Sequence, residues 1–202
     1  MSEAAVFRPL TDDAGEKLLF LARAEVISAA AGSPTPLAPW PLPASFIAPW
    51  DVFVTLTQAG QLRGCIGTWK AGRTLAENLG RAARGAALDD PRFPALRSDE
   101  LEDVAIEVTV LDPPIVIDGP GGLTIGRHGI SVTHRLGRGL LLPQVAIEHR
   151  LGPEDFLRLV CRKAGLAPEA WRKDAVLEAF SARVFRETRS GPADSDGGPG
   201  AS

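Results

Sequence analysis

The sequence predicts an α+β protein of mostly antiparallel sheets with flanking helices. Three observations carry this. Apolar residues recur at helical spacing in three separate segments, near residues 12–31, 74–88 and 153–165. Between and after them lie segments that alternate apolar and polar residues, the pattern of strands with one wet face. Their order along the chain is helix, two strands, helix, a run of strands, helix, strand. At 202 residues with 45% hydrophobic content, the chain is long enough to bury a sizeable core.

Residues 1–11 read as an N-terminal arm. In "TDDAGEKLLFLARAEVISAAAG", Thr11 or Asp13 can cap a helix over about 12–31, acidic residues occupy its first turn, and Gly32 ends it. Leu18, Leu19, Ala22, Val26 and Ala29 form its apolar stripe. "SPTPLAPWPLPASFIAPW" has six prolines in eighteen residues, which excludes helix and strand. Its Trp40, Trp50 and Phe46 are too apolar for a solvated linker, so it reads as an ordered strap.

"DVFVTLTQAGQLRGCIGTW" alternates on both sides of Ala59-Gly60 and predicts a β-hairpin. Leu75, Leu79, Ala82, Ala83 and Ala86 mark the buried side of the next helix. "DDPRFPAL" ends it, because Pro91 disfavours helix at the preceding residue. A short turn at "SDELED" leads into the strand "VAIEVTVLD". From 115 to 147, "IVIDGPGG", "LTIGRHG", "ISVTHRLGRG" and "LLLPQVAIE" read as β segments separated by turns.

"PEDFLRLVCRKAGL" is a helix starting at Pro153 and ending at Gly165, with Phe156, Leu159, Val160 and Ala164 on one face. "AVLEAFSARVFRE" is ambiguous between helix and strand. The alternation of Val176, Glu178, Phe180, Ala182 and Val184 favours a final strand. Residues 189–202 have the composition of a disordered tail.

A net charge of −3 argues against chain-wide attraction to nucleic acid or anionic membrane. Lys70, Arg73, Arg81 and Arg84 read as a solvated face. No apolar run reaches the roughly 18 residues of a membrane span, and "MSEAAVFRPL" lacks signal-peptide features, so a cytoplasmic location is expected. The two cysteines, Cys65 and Cys161, suggest free thiols in a reducing compartment. No clustered Cys/His spacing suggests a metal, and no phosphate loop or other motif suggests a cofactor.

The chemistry concentrates in "QLRGCIGTW". Gly64 and Gly67 flank Cys65 on a strand, so the backbone there is either approached closely or bent. Strand parity puts Arg63, Cys65 and Gly67 on one face, with Leu62 and Ile66 on the other, facing the core. A cation beside a cysteine favours the thiolate, which is the nucleophile. The bland alternative is a small buried cysteine with glycines marking a bulge. Cys161, one turn after Leu157 in an amphipathic helix, reads as packing.

In "DDPRFPAL", Asp90 and Arg92 stand on a rigid turn. They can orient a substrate or simply pair with each other. Gln144 ends an apolar segment, where its amide needs a hydrogen-bond partner. His128, His134 and His149 are scattered, and His134 continues the Ile130–Val132 face as a packed residue.

"LRGCIGTW", the helix ending in "DDPRFPAL", "IEVTVL", "LLLPQV" and "FLRLVCRKAGL" occur in the order that resembles the AMMECR family, over about Leu18–Arg186. Bacterial and archaeal members of that family form the A component of the AmmeMemoRadiSam system. The resemblance implies one domain over 12–188 made of two unequal subdomains. It also implies association with a radical S-adenosylmethionine protein and a MEMO-like protein. It carries no reaction with it. Trp69 and the Pro/Trp strap depart from the commoner family pattern.

Two functions are therefore expected to compete. In the first, Cys65 is a nucleophile or redox thiol acting on a small molecule or protein; Arg63 lowers its pKa, Gly64 and Gly67 admit substrate, and Thr68, Asp90, Arg92 and Gln144 bind or orient it. In the second, the same motif surface is a non-catalytic adaptor for a partner.

Overall fold

The computed structural model describes residues 10–33 and 41–188. The N-terminal arm to residue 9, residues 34–40 of the strap with Trp40, and the tail from 189 lie outside the described residues. Helices α1 (Asp12–Ala30), α2 (Ala44–Ile47), α3 (Leu75–Leu88), α4 (Pro143–Glu148) and α5 (Pro153–Lys163) surround strands β1 (Asp51–Gln58), β2 (Gln61–Gly67), β3 (Val104–Leu111), β4 (Ile115–Ile117), β5 (His128–His134), β6 (Gly137–Leu141) and β7 (Val176–Arg186).

The strands form one curled antiparallel sheet in the order β2-β1-β3-β7-β5-β6, with β4 added beside β7. The eleven-residue β7 joins its two halves. Residues 182–186 pair with β3, whereas 176–181 pair with β5, and 177–179 also pair with β4. The ambiguous last segment is thus a strand, because its two halves complete two different sheet regions. Two hydrophobic clusters result. Leu18, Ala22 and Val26 of α1, Leu75 and Leu79 of α3, and the inward residues of β1 and β3 form one. Ile130, Val132, Phe156, Val160, Cys161 and Leu177 belong to the other.

Local chemistry accounts for the element ends. The Thr11 side chain accepts from the Ala14 N–H at the start of α1. Thr74 and Glu77 form a reciprocal capping box on α3. The β1–β2 turn places both Ala59 (φ 48°) and Gly60 (φ 74°) in the left-handed region, as a two-residue hairpin turn requires.

Four expectations are corrected. Residues Ala44–Ile47 of the strap, read as neither helix nor strand, form the one-turn helix α2, because the clustered prolines end at its N-cap Pro43 and Pro49 lies beyond its end. "PQVAIE" is helix, not strand: Pro143 occupies the first turn of α4, where its missing N–H costs nothing. "LTIGRHG" is mainly turn, with the strand beginning only at His128. His134 is half-buried at the end of β5, where its Nδ1 accepts from the Leu136 N–H in the hairpin turn. No described helix is long and apolar enough to cross a membrane.

Candidate functional site

The hairpin carrying Cys65 is irregular at one residue. Thr57 pairs with Leu62 and Leu56 with Gly64, so Arg63 has no partner across the ladder. This β-bulge inverts the face of everything before it. Leu62 is therefore turned to solvent at 42% exposure instead of joining the core. Cys65 shares its face with Thr55, and Gly67 with Phe53. Arg63, expected beside the thiol, instead makes a two-pronged pair with Glu100 (2.9 and 3.0 Å) and donates to the carbonyls of Pro94 and Ala95. That pair holds the Glu100 carboxyl below its ordinary range, first through the Arg63 hydrogen bonds.

The cation that reaches the Cys65 backbone comes from the turn after α3. Asp90, 4% exposed, accepts from the Cys65 N–H (2.8 Å), the Arg92 N–H (3.1 Å), and Nε and Nη2 of Arg92 (3.0 and 2.7 Å). The Arg92 hydrogen bonds, against the opposing effect of burial, keep the Asp90 carboxyl far below the usual carboxylate range. Nη2 of Arg92 also reaches the Cys65 carbonyl at 3.5 Å. Because β2 is an edge strand, its outer N–H and C=O would otherwise be open. Asp90 and Arg92 occupy both at Cys65 and fix where the thiol stands. The sulfur, half-buried, accepts a hydrogen bond from the Thr55 hydroxyl at 3.4 Å.

The two glycines have intramolecular occupants. A Cβ on Gly64 would fall on the Ala86 carbonyl of α3, and one on Gly67 would fall inside the Phe53 ring. Both glycines thus admit close approach, of a helix and a ring of the same chain. Thr68 is held by β1: its N–H donates to the Val52 carbonyl (2.9 Å), and its hydroxyl accepts from the Val52 N–H (3.2 Å). Gln144 lies in the first turn of α4, half-buried, and its amide makes no hydrogen bond among the described residues.

Lys163, at the end of α5, gave no signal in the sequence beyond an ordinary cation in a last helical turn. Its Nζ donates to the Leu140 carbonyl at 2.8 Å. Partial desolvation lowers its pKa; the nearby Cys65 pulls it up and Arg92 pushes it down. Cys161, by contrast, is fully buried, and burial pushes its thiol up. Among the described residues, no group of three or more His, Cys, Asp or Glu side chains is placed to hold a metal.

The loop after β2 fastens the two halves of the sheet. Trp69 packs on Phe180 with ring centroids 5.1 Å apart. Lys70 donates to Glu178 at 2.6 Å, and the other Glu178 oxygen accepts from Ser131 at 3.2 Å. The Glu178 side chain is only 8% exposed. Lys70→Met is expected to lower stability by about 2 kcal/mol, since a buried carboxylate loses its cation while Ser131 remains. Urea unfolding measures it, and a loss within experimental error would show the pair to be dispensable.

The AMMECR1 family model matches residues 19–185. A Methanothermobacter thermautotrophicus protein is 39% identical over 188 residues, covering 90% of this chain and 98% of that one. A Methanosarcina mazei protein is 45% identical over 141 residues, covering 67% and 71%. The crystal structure described as that of uncharacterized protein PH0010 from Pyrococcus horikoshii superposes with a TM-score of 0.80. It is 37% identical, with 88% of this chain and 93% of that one covered. The motif strand, the turn after α3 and both halves of the sheet all fall within the matched span, and the chain belongs to the AMMECR1 family.

Proposed function

We propose that Cys65 is the reactive group of this protein, a nucleophile or redox thiol in the modification of a small molecule or protein. The observation that supports this most is the double clamp on its backbone. Asp90 takes the Cys65 N–H while Arg92 reaches its carbonyl, which holds a half-exposed thiol in one place. A purely packing cysteine needs no such arrangement, and Cys161, fully buried, has none. In this reading Asp90 positions the strand, Arg92 replaces Arg63 as the neighbouring cation, and Thr55 donates to the sulfur. Gln144, whose amide makes no hydrogen bond among the described residues, remains the candidate for substrate contact. Gly64, Gly67 and Thr68 act by building the strand. The radical S-adenosylmethionine and MEMO-like partners implied by the family belong to the same proposal, as the source or recipient of the modified molecule.

Alkylation by iodoacetamide, followed by intact mass and peptide mapping from neutral to alkaline pH, tests it. One adduct is expected, at Cys65, with Cys161 silent in the folded protein and no adduct in Cys65→Ser. A folded protein whose Cys65 stays as inert as Cys161 at high pH would leave the adaptor reading in its place.

A further inference from the structure

The helical layers cover one face of the sheet. Along β7, Leu177 and Ala179 belong to the cluster that includes Phe156 and Val160 of α5, and Phe185 packs on the cluster of α1 and α3. The three residues have one parity, so both layers lie on the same side of the strand. The opposite side carries Cys65, with Thr55, Glu107 and Arg186 in its ladder row. The next row on that side is Gly67, Phe53, Thr109 and Val184. Cys65, Thr55, Phe53 and Gly67 are all half-buried, so the thiol stands on the face that the helical layers leave uncovered.

The Phe53 ring reaches across the ladder on this face. A Cβ at position 67 would fall within the ring, which therefore occupies the place that a side chain there would take. That place is two positions along β2 from Cys65 on the same face, about 7 Å away. One small molecule reacting at the sulfur spans that distance.

The polar groups of the two rows are already engaged. Glu107 pairs with Arg186 at 2.7 Å, the Thr55 hydroxyl donates to the Cys65 sulfur, and the Thr109 hydroxyl donates to Glu107. Beside the thiol this leaves an aromatic ring, a glycine and threonine methyl groups, a surface that favours an apolar occupant.

We propose that Phe53 is a specificity-determining residue of the Cys65 site, and that the molecule met by the thiol carries an uncharged apolar group that seats on the Phe53 ring. This rests on Cys65 being the reactive group, and it adds the chemical class of what the thiol meets.

N-phenylmaleimide and N-methylmaleimide separate the two claims. With either, the thiolate sulfur bonds one alkene carbon and the π pair moves to its neighbour as an enolate. That carbon then takes a proton from solvent, and nothing leaves. The phenyl/methyl rate ratio at Cys65, divided by the same ratio for a free thiol, cancels both thiolate fraction and intrinsic reagent reactivity. This normalised ratio is expected to be roughly five- to tenfold, the gain of one aromatic contact. It is expected to fall near one in Phe53→Thr and to be retained in Phe53→Tyr.

A normalised ratio near one in the wild type, or a raised ratio unmoved in Phe53→Thr, overturns the inference while leaving Cys65 reactive. If Phe53→Thr does not fold, protection of the wild type decides. Benzamide is then expected to slow N-methylmaleimide at Cys65 saturably and acetamide to leave it unchanged, whereas equal effects of the two overturn the seat. If neither maleimide reacts, the reading of Cys65 fails, and NMR titration with benzamide judges the seat separately. Saturable shifts at Phe53 and Gly67 support it, and their absence overturns it.

Discussion

Gly64→Ala is expected to destabilise the protein by about 3 kcal/mol, lowering the melting temperature by roughly 6–12 °C for a chain of this size. The added methyl would fall on the Ala86 carbonyl, a backbone atom of α3 that no rotamer change can move aside. Relief requires shifting α3 away from the sheet. That shift would separate Leu75, Leu79, Ala82 and Ala83 from the core they share with β1. Gly121→Ala is the control: a Cβ there meets nothing within 4 Å, and its effect is expected to stay near zero. Calorimetry on both variants measures the contrast. Equal melting temperatures would show that the α3–β2 approach is slack.

Asp90→Asn is expected to cost about 3 kcal/mol near neutral pH, because the buried carboxylate accepts two backbone N–H groups and both prongs of Arg92. Its pH dependence identifies the cause. Hydrogen bonds from Arg92 hold the carboxyl far below the usual range in the folded state, whereas the unfolded chain takes up the proton near pH ~4. A depressed folded pKa gives stability that is fully present above the unfolded value and lost as the pH falls below it toward the folded one. The gap between the wild type and Asp90→Asn is therefore widest at neutral pH and narrows below about pH 4. Chemical denaturation across that range checks it. A gap that stays constant with pH would assign the loss to shape rather than charge.

The helices were legible because their signals are local. The stripe Leu75, Leu79, Ala82, Ala83 and Ala86 is buried as its spacing requires, and the Thr11 cap is where the first turn needs it. The hairpin was legible from alternation about Ala59-Gly60. Segment 143–148 was misread because a short apolar run has no decisive period, although Pro143 supplied the helix-start signal.

Arg63 was misplaced for a different reason. Side-chain direction along a strand has period two, so one bulged residue exchanges the faces on its two sides. The bulge belongs to the packing: Gly64 must admit the Ala86 carbonyl while Arg63 reaches Glu100 and the 94–95 carbonyls.

By itself, then, the sequence determined the α+β class, most elements and their caps, and the motif that marks the family, since these depend on neighbours a few positions away. Which groups stand around Cys65 was decided only by the tertiary structure. A bulge turned Arg63 away, and a turn 27 residues later brought Arg92 to the strand edge. Each of those placements depends on packing between distant segments, which local spacing does not encode.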